Sequence, residues 1–441
     1  MPAARANRVL VLTPDTVGPR MAGPGIRSTE LARVLATERE VTLASPYPVE
    51  RQIDGVTPAT FRGDTDLRRL VEGADVVVAL ASLLHEHPWI TAGDPASRPA
   101  VVADAYDPVL FEVLELAAAS GASEAAAWRS VGDAVDRMTT PLATADLVLC
   151  ASERQRHLLL GMMAALGRLN PATHDGDPGF DRLVAVVPFG LPADPPDAAG
   201  RHPLRGPDGP FGDGDFVALW GGGLYDWLDP LTLVEAIARI DDPTVKGYLL
   251  GGRHPTPAVP DMPMAARSRA RADALGLTGG DHPRVVFASS WVPYDERAAW
   301  LLDADVSVSL HRPGAEATFA YRTRLLDAVW AGLPVVCTEG DTLAEQVEAH
   351  GLGAVVAASD PDAVAEALVR LREPRCYAAA RLALGALAPA STWERVAGPL
   401  IEFCRHPALA PDRTRPVPTT AAGPRARLQA AAQRLRARGS S

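Results

Sequence analysis

Short runs of Val, Ile and Leu alternate with longer Ala/Leu-rich amphipathic stretches, and this rhythm runs through the chain twice. The first pass holds RVLVLT from Arg8, EVTLA from Glu40, VVVAL from Val76, AVVAD from Ala100, LVLC from Leu147 and VAVV from Val184. The second holds FVALW from Phe216, KGYLL from Lys246, RVVF from Arg284, VSVSL from Val306, PVVCT from Pro334 and AVV from Ala354. Strands that are apolar at consecutive positions are covered on both faces, which implies a parallel sheet wrapped by helices. Between the passes, residues 192–215 are dominated by Pro, Gly and Asp, a composition that suits a linker. At 441 residues the chain is two or three times the length of a single-core domain. The expected fold class is therefore α/β, with two Rossmann-like doubly wound domains facing each other across a cleft.

Composition narrows the function. A net charge of -11 argues against a surface that coats nucleic acid, so no nucleic-acid partner is expected and any phosphate should be held locally. Cys150, Cys337, Cys376 and Cys404 lack metal-ligand spacing and read as thiols of a reducing cytoplasm. The N-terminal stretch has no apolar segment of the kind that directs secretion, and no run approaches 18 consecutive apolar residues. A cytoplasmic protein is expected. Residues 407–441 turn Pro/Thr-rich and then Arg-rich, which suits either a frayed basic terminus or a weak peripheral contact with a membrane surface.

Ligands of open α/β sheets bind beyond the C-terminal ends of the strands, so the loops that follow strands are where chemistry is sought. After the first strand, Gly23 and Gly25 precede a helix; they either form a seat for phosphate at its positive end or make a tight turn. After AVVAD, Asp104 and Asp107 stand at i and i+3, suited to proton transfer or sugar hydroxyls, or else to an Asx turn before Pro108. His85 and His87 have no further ligands near them in sequence, and no metal is expected.

Gly221, Gly222 and Gly223 directly follow a strand in WGGGLYDWLDP, allowing close backbone approach to a ligand, or a glycine turn clamped by aromatic packing. In EATFAYRTRLLDAVWAGLP, Arg322, Thr323 and Arg324 open a helix, a place where the dipole disfavours cations unless an anion is held there. Asp327 lies one turn on, placed either to accept hydroxyl hydrogen bonds or to pair with Arg324, with Trp330 turned into the core.

The element DAVWAGLPVV, Asp327 to Val336, resembles the donor-nucleotide element of the family 4 glycosyltransferases, retaining enzymes of the GT-B fold. GPGIRSTELARVLA, ADLVLCASERQRHLL, VAVVPFGLP, GGGLYDWLDPLTLVEAI and YLLGG fall in the family's order. The resemblance implies an acceptor-side domain over residues 1–191, a donor domain over 216–390, and a last helix near 391–405 that returns to the first domain. It further implies a sugar moved from a nucleotide-diphosphate sugar to a sugar, glycolipid or small-molecule acceptor; no cofactor or metal is expected, because no acidic D-x-D cluster or His/Cys set presents itself to the cleft.

Three departures from the family pattern matter. Asp327 replaces the second Glu of the usual E-x7-E, and Phe319 stands where the first would be, with Glu316 three residues earlier. The family's diphosphate-gripping Arg and Lys are absent from the GGGLYDWLD loop, and Tyr106 or Asp107 stands in place of its sugar-facing His. The expected donor-binding set is therefore Gly23, Gly25, Gly221, Gly222, Gly223, Arg322, Thr323, Arg324 and Asp327, with RTR supplying the missing cation; Asp107, Asp104 and Glu316 are the catalytic candidates. A silent nucleotide-binding or partner protein, and a cyclitol transferase or isomerase on the same fold, are the alternatives.

Overall fold

The computed structural model describes residues 8–414 apart from 258, 260 and 261, so residues 415–441 of the basic tail lie outside the described residues. The first sheet holds β1 (Arg8–Leu12), β2 (Glu40–Ser45), β3 (Val56–Thr60), β4 (Val76–Leu80), β5 (Ala100–Asp104), β6 (Leu147–Cys150) and β7 (Val184–Val186). All are parallel, in the order β3-β2-β1-β4-β5-β6-β7. The second sheet holds β8 (Phe216–Trp220), β9 (Val245–Leu249), β10 (Val285–Phe287), β11 (Val306–Ser309), β12 (Val335–Thr338) and β13 (Gly353–Val356), also parallel, in the order β10-β9-β8-β11-β12-β13.

Every strand expected from the apolar runs is present. The one without such a run is β3, VTPAT, a largely exposed edge strand that accommodates Pro58 because an edge needs neither two apolar faces nor a full set of N–H donors. In each sheet the winding direction reverses once, between β1 and β4 and between β8 and β11, and the loops above those pairs diverge. The two switch points open the cleft.

The linker is pinned rather than loose. Leu204 and Phe211 are buried, and the Asp303 carboxylate accepts from the Leu204 and Arg205 amides at 2.7 and 3.1 Å. Its Pro/Gly composition marks irregular backbone, which a few hydrogen bonds and apolar anchors suffice to fix.

The helices Trp393–Val396 and Gly398–Arg405 pack on the helix Gly23–Leu35 and on β7. Leu191 and Thr392 form a parallel bridge, and Gly190 lies so close to the returning chain that a Cβ there would be 2.5 Å from Trp393 N and Cα. The backbone thus crosses between the domains twice, side by side. Among the described residues, no helix is long and apolar enough to cross a membrane.

Candidate active site

A cavity of about 410 Å³ lies between the domains, lined by the turns after β1, β5, β8 and β9, by Trp291 and Val292 beyond β10, and by the segment after β11. From the second domain, Gly221, Gly222 and Gly223 all line it. Gly222 has φ of +124°, a left-handed conformation that a side chain would strain, and the loop is closed by Trp220 Nε1 donating to Gly223 O at 3.2 Å. Tyr225 and Trp227 stack at 4.8 Å and 11° and form an aromatic wall. The loop's two acids are structural: Asp229 caps the helix Pro230–Arg239 through Thr232 N at 3.2 Å, and Asp226 accepts from Met264 N at 2.9 Å.

The two arginines of RTR have separate fates. Arg322 is 3% exposed; its Nε lies 2.7 Å from Asp341 Oδ2, and its Nη1 donates to Thr338 O at 2.7 Å. It ties the start of the helix Thr323–Ala331 to the end of β12 and to Asp341, the cap of the helix Thr342–His350, while still lining the cavity.

Arg324 is different. It sits half-buried 5.1 Å from the Trp220 ring, its Nη1 has no hydrogen-bond partner, and burial lowers its pKa to about 10. Of the arginines described along the cavity, Arg297 is paired with Asp327 and Arg322 with Asp341, which leaves Arg324 without a carboxylate.

Thr323 opens the helix and lines the cavity, but its N–H donates to Tyr321 O at 2.8 Å. Asp327 pairs with Arg297 at 3.2 Å rather than with Arg324, while its side chain remains 42% exposed to the cavity. Trp330 packs against the core only partly buried: its Nε1 donates to Asp194 O at 2.8 Å in the linker, and Arg297 lies 4.5 Å from its ring. An indole with a polar edge can pack its face and still need a partner for its N–H, which the linker backbone supplies.

On the first domain, Gly23 lines the cavity and Gly25 does not. A Cβ on Gly25 would lie 2.6 Å from Thr16 O, and its N–H points at the Asp15 carboxylate. With Pro24 between them lacking an N–H, this helix end presents few free donors to the cavity.

Asp104 is likewise committed. Both its oxygens are held by Arg27, at 2.6 Å from Nε and 2.9 Å from Nη2, in a fully buried bidentate pair that also reaches Val187 O at 2.8 Å. Asp104 is not among the residues that line the cavity, whereas Asp107 is.

Asp107 does reach the cavity, half-buried, with burial and then the nearby Glu112 and Asp104 pushing its pKa well above the carboxylate range. Glu112 of the helix Val109–Ala119 joins it, pushed up to about 8 by burial and by Glu316. Across the cavity, Glu316 in the short helix Ala315–Phe319 is 4% exposed, bonded to His311 Nδ1 at 3.0 Å and pushed up to about 8 by burial. Burial, Arg322 and Arg324 hold His311 well below its usual value, so the imidazole is neutral near pH 7. Glu316 thus lies in the cavity despite its shifted register. Phe319, where the resemblance places a Glu, instead stacks on Phe111 of the first domain at 5.2 Å.

Glu112, His311 and Arg27 had no place in the sequence reading. Arg27 carried the same signal as RTR, a cation in the first turns of a helix, and Glu112 is, with Glu115, one of two acids in an otherwise apolar helix. His311 follows β11 directly, at the strand end where site residues collect. His85 and His87 face Thr140 and Asp64, away from the cavity lining.

Residues 216–373 match the family model of the group 1 glycosyl transferases. No curated protein sequence matches the chain. Among solved structures, it is similar to the sucrose-phosphate synthase of Thermosynechococcus elongatus (18% identity, 90% of this chain and 98% of the other, TM-score 0.61). It is also similar to Anabaena HepE in complex with UDP and glucose (16%, 91% and 100%, TM-score 0.64) and to the trehalose 6-phosphate synthase of Burkholderia multivorans (14%, 91% and 97%, TM-score 0.60). The fold is GT-B.

Proposed function

We propose that the protein is a glycosyltransferase, a divergent member of family 4, that moves a sugar from a nucleotide-diphosphate sugar to an acceptor with retention of configuration. The observation that carries this reading is Arg324: a cavity cation without a carboxylate partner, beside the Gly221–Gly223 backbone, in the domain that matches the group 1 transferases. A diphosphate drawn into a partly dry cleft needs such a cation, and an arginine kept from any carboxylate stays available for one. Asp327 is suited to the ribose hydroxyls, and Asp107, Glu112 and Glu316 to the hydroxyls of the sugar. In the reaction, the acceptor hydroxyl attacks the anomeric carbon on the face the diphosphate leaves, and its proton passes to a departing phosphate oxygen. Arg324 and the glycine-loop amides would stabilise the charge that develops there.

Purified protein tested by thermal shift against UDP-, GDP- and dTDP-sugars identifies the donor, because a bound ligand raises the melting temperature by mass action. Release of nucleoside diphosphate, with and without candidate acceptors, then measures turnover. A shift without any turnover would identify the silent nucleotide-binding protein, and no shift with any donor would refute the reading.

A further inference from the structure

Gln155 takes no part in the proposed chemistry, yet it joins the two walls of the cleft. It stands in the first turn of the helix Glu153–Ala165, 3% exposed, below the capping residue Ser152. Its Oε1 accepts from Ala151 N at 2.7 Å. Its Nε2 donates to Tyr106 O in the first domain at 2.7 Å and to Phe319 O in the second at 2.8 Å.

This surrounding fits a primary amide and little else. Two carbonyl oxygens require two N–H donors on one atom, and the Ala151 N–H requires an acceptor on the next, so Glu would oppose oxygen to oxygen and Lys or Arg would leave Ala151 unpaired. Both carbonyls matter for the site. Tyr106 immediately precedes Asp107, and Phe319 ends the helix that carries Glu316. The Phe319 ring also stacks on Phe111, the neighbour of Glu112. Two ion pairs between the domains, Arg154 with Glu345 and Arg312 with Glu115, involve partly exposed side chains that water screens, while on the turn after β1 and the helix that follows it Thr256 donates to Asp15 at 2.7 Å and Tyr294 to Glu30 at 3.1 Å.

We propose that Gln155 is a positioning residue that clamps the domains together and sets the separation of Asp107 and Glu112 from Glu316, acting through the carbonyls of Tyr106 and Phe319. Only the turnover and nucleotide-binding readouts of its test rest on the glycosyltransferase reading. Gln155→Glu forces acceptors against two carbonyls, and Gln155→Met keeps the volume while removing the hydrogen bonds. In both variants the radius of gyration from X-ray scattering should rise, and amide hydrogen exchange should accelerate over residues 105–108 and 315–320.

The turnover number for sugar transfer should fall on the order of 10- to 100-fold, the usual cost of a small misplacement of reacting groups. The Kd for UDP, whose proposed contacts lie on the second domain, should stay within about twofold. Folded variants with unchanged scattering and exchange, or with turnover within about twofold, would overturn the proposal. So would failure of both variants to fold, which would make Gln155 a core residue. If the wild type binds none of UDP, GDP and dTDP, the donor reading fails, while scattering and exchange still decide the role of Gln155.

Discussion

Replacing Arg324 by Met removes the cation and keeps most of its volume beside Trp220. In the ligand-free protein, burial holds the guanidinium pKa near 10 instead of its usual 12.5, a cost that the nearby Glu316 and Asp327 offset only in part because neither pairs with it directly. Arg324 therefore burdens the folded state, and its removal should leave the melting temperature unchanged or raise it. With a nucleotide bound the sign reverses. A hydrogen bond to a charged group contributes about 1.5–3 kcal/mol, and at about 1.4 kcal/mol per tenfold the loss corresponds to roughly 10- to 150-fold in Kd. Isothermal titration with UDP and with its sugar conjugates, beside a melting curve of each protein, measures both quantities. An unchanged Kd would refute the assignment. A Kd that weakens only in step with a falling melting temperature would show that Arg324 serves the fold instead.

Three further outcomes follow from the geometry. Glu112 and Glu316, both raised from 4.5 to about 8, bind protons in the folded state that the unfolded chain releases, so their stabilisation is full below about pH 4.5 and lost as pH climbs to about 8. The melting temperature of the ligand-free protein should fall across that range, and the double variant Glu112→Gln, Glu316→Gln should flatten the slope. Asp104→Asn leaves the Arg27 charge buried without its counter-ion and should cost about 3–5 kcal/mol in urea denaturation; a loss below about 1 kcal/mol would mean the pair is dispensable. Gly190→Ala places a Cβ 2.5 Å from the Trp393 backbone at the double crossing and should destabilise the protein and raise its radius of gyration; wild-type melting and scattering would show that the crossing can yield.

The architecture was legible because burial on both faces leaves a mark on sequence. Strands such as VVVAL and AVVAD carry consecutive apolar residues that only a covered parallel sheet uses, whereas β3, lying exposed on an edge, left none. The site was legible at the level of loops and not of side chains. RTR and AYDP were found, but the chain does not record which of two neighbouring polar groups is consumed by the protein itself. Arg322 and Asp104 are taken by Asp341 and Arg27, partners 19 and 77 positions away that meet them only after the sheets form. Glu316 shows the converse, reaching the cavity through a loop whose path no periodicity encodes.

The double crossing at Leu191 and Thr392 also bears on how the chain is made. The first domain is assembled from two segments separated by the whole of the second, and its helix Gly23–Leu35 and strand β7 stay uncovered until Trp393 and Leu400 have left the ribosome. Synthesis would then complete the downstream domain before the upstream one, with the early segment held exposed over some 200 residues of elongation, on the order of ten to forty seconds at bacterial and eukaryotic rates. For the same reason, cutting the chain in the linker would leave the first domain without Trp393 and Leu400, which would remain on the fragment that holds the second domain.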